Sequence, residues 1–296
     1  MTTNTFQPRA EPPPLSLDHD GWDDFELAGV HTKFQMVPAD GDRTLRVTAG
    51  RELIVSSDKP NIASVSSPQQ DASSTTNRVV LRPATHTFPF DVGIHGVFTG
   101  FTNIRLSEPT GELVDSVLVS VKSHVVKTYR LWRLRDIEHE TKRSGEKMIA
   151  IMDKVEKLYK KQANLTLVRM GEPEVLFVKD KLKDPMEFPS IMNFNLAVMI
   201  QAKGKGGAGF DLVSTWKMEG RVGNTIPLNI SLCSMQAYDE GLNEEMREVS
   251  TYAHEMCHAF GRWVHASRSQ VFMAGDGTDS CRFDKIDINT INPSGL

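Results

Sequence analysis

The chain has 296 residues, with 34 Lys and Arg against 38 Asp and Glu, and 39% of its residues are hydrophobic. This is ordinary soluble composition, and the length predicts two domains, each large enough to bury a core. The net charge of −4 gives no reason to expect nucleic acid or an anionic membrane as a partner. No apolar run approaches the length of a transmembrane helix, so we expect no membrane span.

Residues 1–40 are rich in Pro and Asp and show little periodicity, which predicts an N-terminal arm that is partly disordered or loosely docked. Because the N-terminus contains no apolar run, we expect no secretory signal peptide and synthesis in the cytoplasm. The three cysteines are too few and too scattered to predict a disulfide framework. We expect reduced thiols, with a Cys233–Cys281 bridge after export as the alternative.

Residues 41–123 contain short β-rich runs separated by clusters of Gly, Pro, Asn, Asp and Ser, which predicts an all-β sandwich. Examples are "TLRVTAG", "ELIVSSD", "NRVVLRPA" and "DSVLVSVKS". The segments "VSSDKPNIASV", "GVFTGFTNIRL" and "VLVSV" resemble the bacterial immunoglobulin-like domains of surface and secreted proteins. The resemblance implies a structural or adhesive module that binds a surface or secretion-machinery partner. The segment carries no catalytic constellation.

Residues 124–296 combine helical and strand patterns, which predicts an α/β (α+β) domain. The stretch "GEKMIAIMDKVEKLYKKQA" (145–163) places apolar residues at three- and four-residue spacing, so we expect an amphipathic helix that ends at Asn164. "LTLVRM", "VLFVKD", "LAVMIQA" and "IPLNISL" predict strands, whereas "LWRLRDIEHETKRSGEK" predicts a charged, solvated connector. The change in composition near residue 123 predicts that 125–296 folds on its own.

A second amphipathic helix is predicted from about Asn243 to Phe260. Acidic residues follow the N-cap candidate Asn243, and Gly261 is a natural residue to end the helix. An apolar stripe runs along its length, formed by Met246, Val249, Ala253, Met256, Cys257 and Phe260.

This helix carries the pattern H-E-x-x-H at His254, Glu255 and His258. The two histidines are four residues apart, so they project from one face and can share one zinc ion. Glu255 is rotated by about 100° from His254, which lets its carboxylate act on a water at the metal as the general base. The alternative is a chance match, in which the two histidines are structural.

The segments "HEMCHAFGRWVH", "FMAGDG" and "CRFDKIDINTINPSG" resemble the metzincin clan of zinc metallopeptidases, whose pattern is H-E-x-x-H-x-x-G-x-x-H. The resemblance covers about 145–296 and implies a zincin fold, a turn methionine at Met273 beneath the metal, and a short C-terminal helix. It also implies that a strand near 226–232 borders the substrate cleft. One departure is the family's third histidine position, which is Val264 here.

We predict His265, one residue later, as the third zinc ligand, because a turn after Gly261 that is longer by one residue can still reach the metal. No glutamate follows Glu255, which excludes a downstream glutamate ligand. Asp276 and Asp279 in "GDGTDS" remain alternatives, Asp279 before Asp276, although Asp and Gly also belong in turns. No tyrosine directly follows Met273, so a tyrosine ligand is not expected.

The predicted function is zinc-dependent hydrolysis of peptide bonds in a peptide or protein substrate. The combination of an Ig-like module, a peptidase and no signal peptide suggests an exported bacterial effector. Two alternatives stay open. One is an amidase or endopeptidase of peptidoglycan stem peptides, and the other is an adhesive protein with a structural zinc site. The glycine-rich "GKGGAG" (204–209) is interpreted as a loop, because no helical stripe follows it.

Overall fold

A computed structural model describes residues 4–9, 11–27, 30–67, 77–82, 89–183, 209–216, 223–226, 230–234, 244–263, 265–266, 273 and 280–295, with backbone only for 27, 223–226, 230–234 and 244. The protein is mostly β-sheet with few helices and has a mixed α/β architecture. Within these ranges, no helix combines the length and the apolar character that crossing a membrane requires.

Ten strands lie before residue 123 in the described part of the chain. They are β1 Thr5–Pro8, β2 Trp22–Leu27, β3 Val30–Pro38, β4 Asp42–Thr48, β5 Leu53–Ser57, β6 Ala63–Ser66, β7 Arg78–Leu81, β8 Phe90–Gly96, β9 Gly100–Ser107 and β10 Leu113–Lys122. One sheet has the order β1-β4-β8-β6, and the other has the order β2-β3-β10-β9-β5-β7. All pairs are antiparallel except β3 with β10. The strands predicted within 41–123 are therefore confirmed.

The prediction of a loose arm over residues 1–40 was wrong. This segment contains β1, β2 and β3, and each of them is paired in a sheet. The partners are distant in sequence, since β1 pairs with β4 and β3 pairs with β10. Local periodicity does not reveal such pairing, because the partner strand lies far along the chain.

Strand β3 contributes to two hydrophobic cores. Val37 belongs to the core between the first two sheets, together with Val92, Ile94 and other aliphatic residues. Phe34 and Met36 point to the opposite face, as alternation along a strand requires, and belong to the second core. The first region and the rest of the protein therefore share one strand.

The described residues of the second region form six strands and three helices. The strands are β11 Val125–Arg135, β12 Leu165–Arg169, β13 Glu174–Phe177, β14 Phe210–Thr215, β15 Gly223–Ile226 and β16 Ile230–Ser234. The helices are α1 Gly145–Ala163, α2 Glu244–Ala259 and α3 Lys285–Ile291. The sheet has the order β12-β11-β14-β16-β15, with β13 also paired to β11. Its pairs are parallel except β15 with β16.

Helix α1 matches its prediction. All six residues of its predicted apolar face are buried in the second core, namely Met148, Ile151, Met152, Val155, Leu158 and Tyr159. Ser144 caps its start, and Asn164 ends it in the left-handed conformation at φ 52°. The predicted connector, in contrast, begins inside β11, where Trp132 and Leu134 are buried. The charged residues of this segment favoured a solvated connector, although its first residues belong to a strand inside the sheet.

The predicted boundary at 123/124 is crossed by several contacts. Asp23 of β2 accepts hydrogen bonds from the Arg282 side chain and from the backbone N–H of Lys285. Lys122 donates to the carbonyl of Ser294. These contacts and the shared strand β3 join the two regions closely, so the division into two domains stays a prediction.

Candidate metal centre

Helix α2 carries the predicted metal ligands and is held by its apolar face. Val249, Ala253, Met256 and Cys257 lie in the second core, and Met246 and Phe260 pack against it. The predicted stripe is thus confirmed, and the helix contacts β14, β15 and β16 of the sheet. This packing fixes the rotation of the helix, so the face that carries His254 and His258 has a defined orientation.

The chain reverses sharply at the end of α2. The N–H of Gly261 donates to the carbonyl of His258, and the N–H of Arg262 donates to the carbonyl of Cys257. These two bonds form a Schellman motif, in which the residue after the helix adopts a positive φ. Gly261 has φ 111°, a conformation that L side chains rarely adopt, so glycine is required there. The turn leads the chain back toward the metal-binding face.

The reversal brings three histidines together. The nearest ring nitrogens of His254, His258 and His265 all lie within 4.8 Å of one another. The Nε2 atoms of His254 and His265 are 3.2 Å apart. The ring centroids are 4.7 Å apart for His254 and His258, and 5.1 Å apart for His258 and His265. His254 is buried and His265 is exposed, so the cluster opens to solvent on one side.

A backbone carbonyl orients His258. Its Nδ1 lies 2.6 Å from the carbonyl oxygen of Arg262. Since a carbonyl can only accept a hydrogen bond, Nδ1 carries the proton and Nε2 keeps its lone pair. This is the arrangement that protein zinc sites use to fix a histidine ligand. Burial lowers the pKa of His258, which favours the neutral imidazole that metals bind.

Glu255 lies next to the histidines and is 5% exposed. Met273 is fully buried in the second core, and its carbonyl accepts a hydrogen bond from the N–H of Ala266, 2.6 Å away. This bond ties the chain directly after His265 to the predicted turn methionine. Trp263 is 60% exposed, and its ring lies nearly parallel to that of His258. The centre thus has a rigid inner side and an accessible outer side.

The donor set fits zinc. Three imidazoles and an adjacent carboxylate are the groups found around catalytic zinc, which needs three protein ligands and one open position. Two nitrogens that share a tetrahedral zinc at the usual bond length of about 2.0–2.1 Å lie roughly 3.3 Å apart. The separation of 3.2 Å between the His254 and His265 nitrogens matches this value. Among the described residues, this is the one group of three that could hold a metal.

Several predicted features lie outside the described residues. Val264, Asp276 and Asp279 lie outside the described residues, as do the segments "LAVMIQA" (196–202) and most of "GKGGAG", so Asp279 as a ligand is untested. Cys281 is a buried free thiol, whereas the side chain of Cys233 is not described. The ligand assignment to His254, His258 and His265 therefore stays a prediction, which the geometry supports.

The sequence interpretation missed Arg262 and its two acidic partners. The guanidinium of Arg262 contacts Asp287 and Asp284, which form a capping box at the start of α3. The D-x-x-D spacing in "FDKID" could have indicated the capping box. No sequence pattern links Arg262 to it, because the two segments meet only in the folded chain.

Among the described strands of this sheet, β12 and β15 stand at the two ends of the order, and β15 pairs with β16. It contacts helix α2, which bears the histidines. The predicted cleft strand near 226–232 covers the end of β15 and the start of β16, and its role at the border of a substrate cleft stays a prediction. The outer strand itself lies earlier, at Gly223–Ile226.

No protein-family model matches this chain, and no curated protein matches it. Among solved structures, a zinc-dependent peptidase from Methanocorpusculum labreanum is similar at 12% identity and a TM-score of 0.39, over 56% of this chain and 100% of that one. Domains 4 and 5 of the S-layer protein SbsC are similar at 20% identity and a TM-score of 0.20, over 34% of this chain and 50% of that one. A chaperone–substrate complex gives 10% identity and a TM-score of 0.40, over 69% of this chain and 38% of that one. TM-scores this low do not establish a common fold.

Proposed function

We propose that this protein is a zinc-dependent peptidase that hydrolyses peptide bonds, with a metzincin-like second region and an Ig-like first region. The observation that supports this most directly is the convergence of His254, His258 and His265 beside the buried Glu255. Three neutral donors with an open side are what a catalytic zinc site needs, whereas a structural site needs a fourth protein ligand. Within the described residues, the cluster offers three.

Zinc in this centre would acidify a water molecule and polarise the carbonyl of the scissile peptide bond. Glu255 would serve as the general base, because its carboxylate would accept a proton from the attacking water and would deliver it to the nitrogen of the leaving amine. The Arg262 carbonyl keeps the Nδ1 proton of His258 in place, so Nε2 stays available as a donor. The outer strand β15 would hold an extended substrate by main-chain hydrogen bonds.

The test combines metal analysis with peptide cleavage. Mass spectrometry should find one zinc per chain, and a peptide library should be cleaved by the zinc-loaded protein. Glu255→Gln should keep zinc and lower the cleavage rate by about 10²–10⁴-fold, the usual contribution of a general base. Glu245→Gln, on the same helix and paired with Lys147 and Lys154, is the matched control and should cleave at the parent rate.

Two results would contradict the proposal. One is full cleavage by the Glu255→Gln variant with zinc bound. The other is a protein that binds zinc tightly but cleaves neither the library nor peptidoglycan stem peptides, which would favour an adhesive protein with a structural zinc site. Export from the cell and a surface partner for the first region remain proposals, tested by following the tagged protein in culture supernatants.

A further inference from the structure

Arg262 makes two kinds of contact that link the candidate metal centre to the C-terminal helix. Its carbonyl accepts the Nδ1 proton of His258, and its N–H donates to Cys257 in the turn that ends α2. Its side chain points to the start of α3, where Nε lies 3.2 Å from Asp287 and Nη2 lies 3.8 Å from Asp284. One residue thus connects a ligand histidine to a separate element.

The acidic side of this link is well buried. Asp287 is fully buried, Asp284 is 4% exposed, and the side chain of Arg262 is 12% exposed. The two acids also bond each other's backbone N–H groups, which holds their carboxylates in place. Burial and the nearby Asp284 raise the pKa of Asp287 to about 8, and Arg262 opposes this rise. A buried carboxylate is costly to ionise unless a cation lies close by, and the Arg262 guanidinium supplies that cation.

We propose that Arg262 is a positioning residue, whose clamp to Asp284 and Asp287 holds its carbonyl against Nδ1 of His258 and so fixes the metal-binding tautomer. The proposal rests on the zinc site of the proposed function but not on the reaction. A hydrogen bond to a histidine ligand's second nitrogen typically changes metal affinity by about 10–100-fold. The carbonyl belongs to the backbone, so a substitution cannot remove it. A substitution can remove the side-chain ion pairs to Asp284 and Asp287.

The experiment measures zinc affinity by competition with a chelator, and the His258 tautomer by ¹⁵N–¹H correlation in the zinc-free protein. Arg262→Ala should lower zinc affinity by about 10–100-fold and weaken the Nδ1–H tautomer. The matched control is Arg282→Ala, which removes a similar ion pair to the buried Asp23, 3.4 Å away. The control should lower the melting temperature but leave zinc affinity within about twofold, since its ion pair with Asp23 lies at the contact between the two regions.

Arg262→Lys keeps the cation between the two acids but loses the planar fork, so its affinity should fall between those of the wild type and Arg262→Ala. If Arg262→Ala does not fold, Arg262→Lys is the deciding variant. Zinc affinity and a His258 tautomer unchanged from the wild type would then overturn the proposal. Equal losses of affinity in Arg262→Ala and Arg282→Ala would also overturn it, by pointing to general destabilisation. Absence of peptide cleavage in all proteins would contradict the proposed function and leave this inference standing.

Discussion

The first region, up to residue 122, and the second region, from residue 125, differ in what they bury. The core between the first two sheets is made of aliphatic and aromatic side chains. The described part of the second region also buries acidic and basic side chains, which are Arg130, Asp136, Asp211, Glu248, His254, Glu255, Asp284 and Asp287. Burying a charge costs free energy unless it is paired, so such groups mark places where something besides packing is required.

Three ionisable groups of the first region are also buried within its described residues, and all three lie where the two regions meet. Asp23 bonds the second region through Arg282 and the N–H of Lys285. Lys122 donates to Ser294. His19 bonds the carbonyl of Pro14, which also accepts the N–H of Cys281. Among the described residues of the first region, buried ionisable groups thus occur where it contacts the second region, and its hydrophobic core contains none.

The largest effect is expected from removing the first region. A chain of residues 124–296 lacks Phe34 and Met36, which complete the second core, and also lacks Asp23. We expect it to show no cooperative thermal unfolding with zinc present, in contrast to the full chain. The change in composition near residue 123 predicts an independent fold for 125–296, but the contacts across this boundary favour the opposite result. Cooperative melting of 124–296 by circular dichroism would show that the second region is independent.

Strand β3 allows a sharper comparison of the two cores. Phe34→Ala should lower the free energy of unfolding by about 3–5 kcal/mol, the usual cost of a buried phenylalanine. Phe6→Ala is the control, since Phe6 is buried in the core of the first region. Hydrogen exchange should become faster in α1 for Phe34→Ala and remain slow there for Phe6→Ala. Equal protection of α1 in both variants would mean that β3 does not couple the regions.

The third ligand is the next test. His265→Ala should lower zinc affinity by about 10²–10³-fold, because structural zinc sites gain roughly 3–4 kcal/mol from each of their ligands. Asp279→Ala should bind zinc like the parent, and so should His31→Ala, whose ring on β3 pairs with Asp24 of β2. The measurement is a chelator competition for each variant. If Asp279→Ala loses affinity and His265→Ala does not, Asp279 is the ligand and the metzincin resemblance fails at this point.

The features predicted correctly from sequence are those fixed by short segments. The apolar faces of α1 and α2, the end of α1 at Asn164 and the turn at Gly261 after α2 each depend on a few neighbouring residues. The two histidines on α2 follow from helical spacing in the same way. Such features can be predicted because the local chain determines them.

The features missed depend on contacts between distant segments. β1, β2 and β3 appeared to be an arm because their partners lie elsewhere in the chain. The clamp on Arg262 requires α3 to meet the turn after α2, which no local pattern encodes. His265 could be proposed but not chosen over Asp279 from sequence, since the length of the turn allows both to reach the metal.

The smallest effect concerns Lys122, the buried cation between the regions. Its Nζ donates to the carbonyl of Ser294 and lies 5.3 Å from the centre of the Phe101 ring. Burial lowers its pKa from the ordinary 10.5 to about 8. Between these two pH values the unfolded chain therefore binds more protons than the folded protein. The free energy of unfolding consequently rises as pH increases from about 8 to 10.5.

Over this pH range we expect the unfolding free energy of the wild type to rise relative to that of Lys122→Met, by on the order of 3 kcal/mol. Lys127→Met removes an equal charge from an exposed position of β11 and should show no such shift. The measurement is urea unfolding of all three proteins at several pH values. A flat difference for Lys122→Met would mean that the lysine stays charged inside the fold, held by Ser294 and Phe101, and that the contact between the regions tolerates a full positive charge.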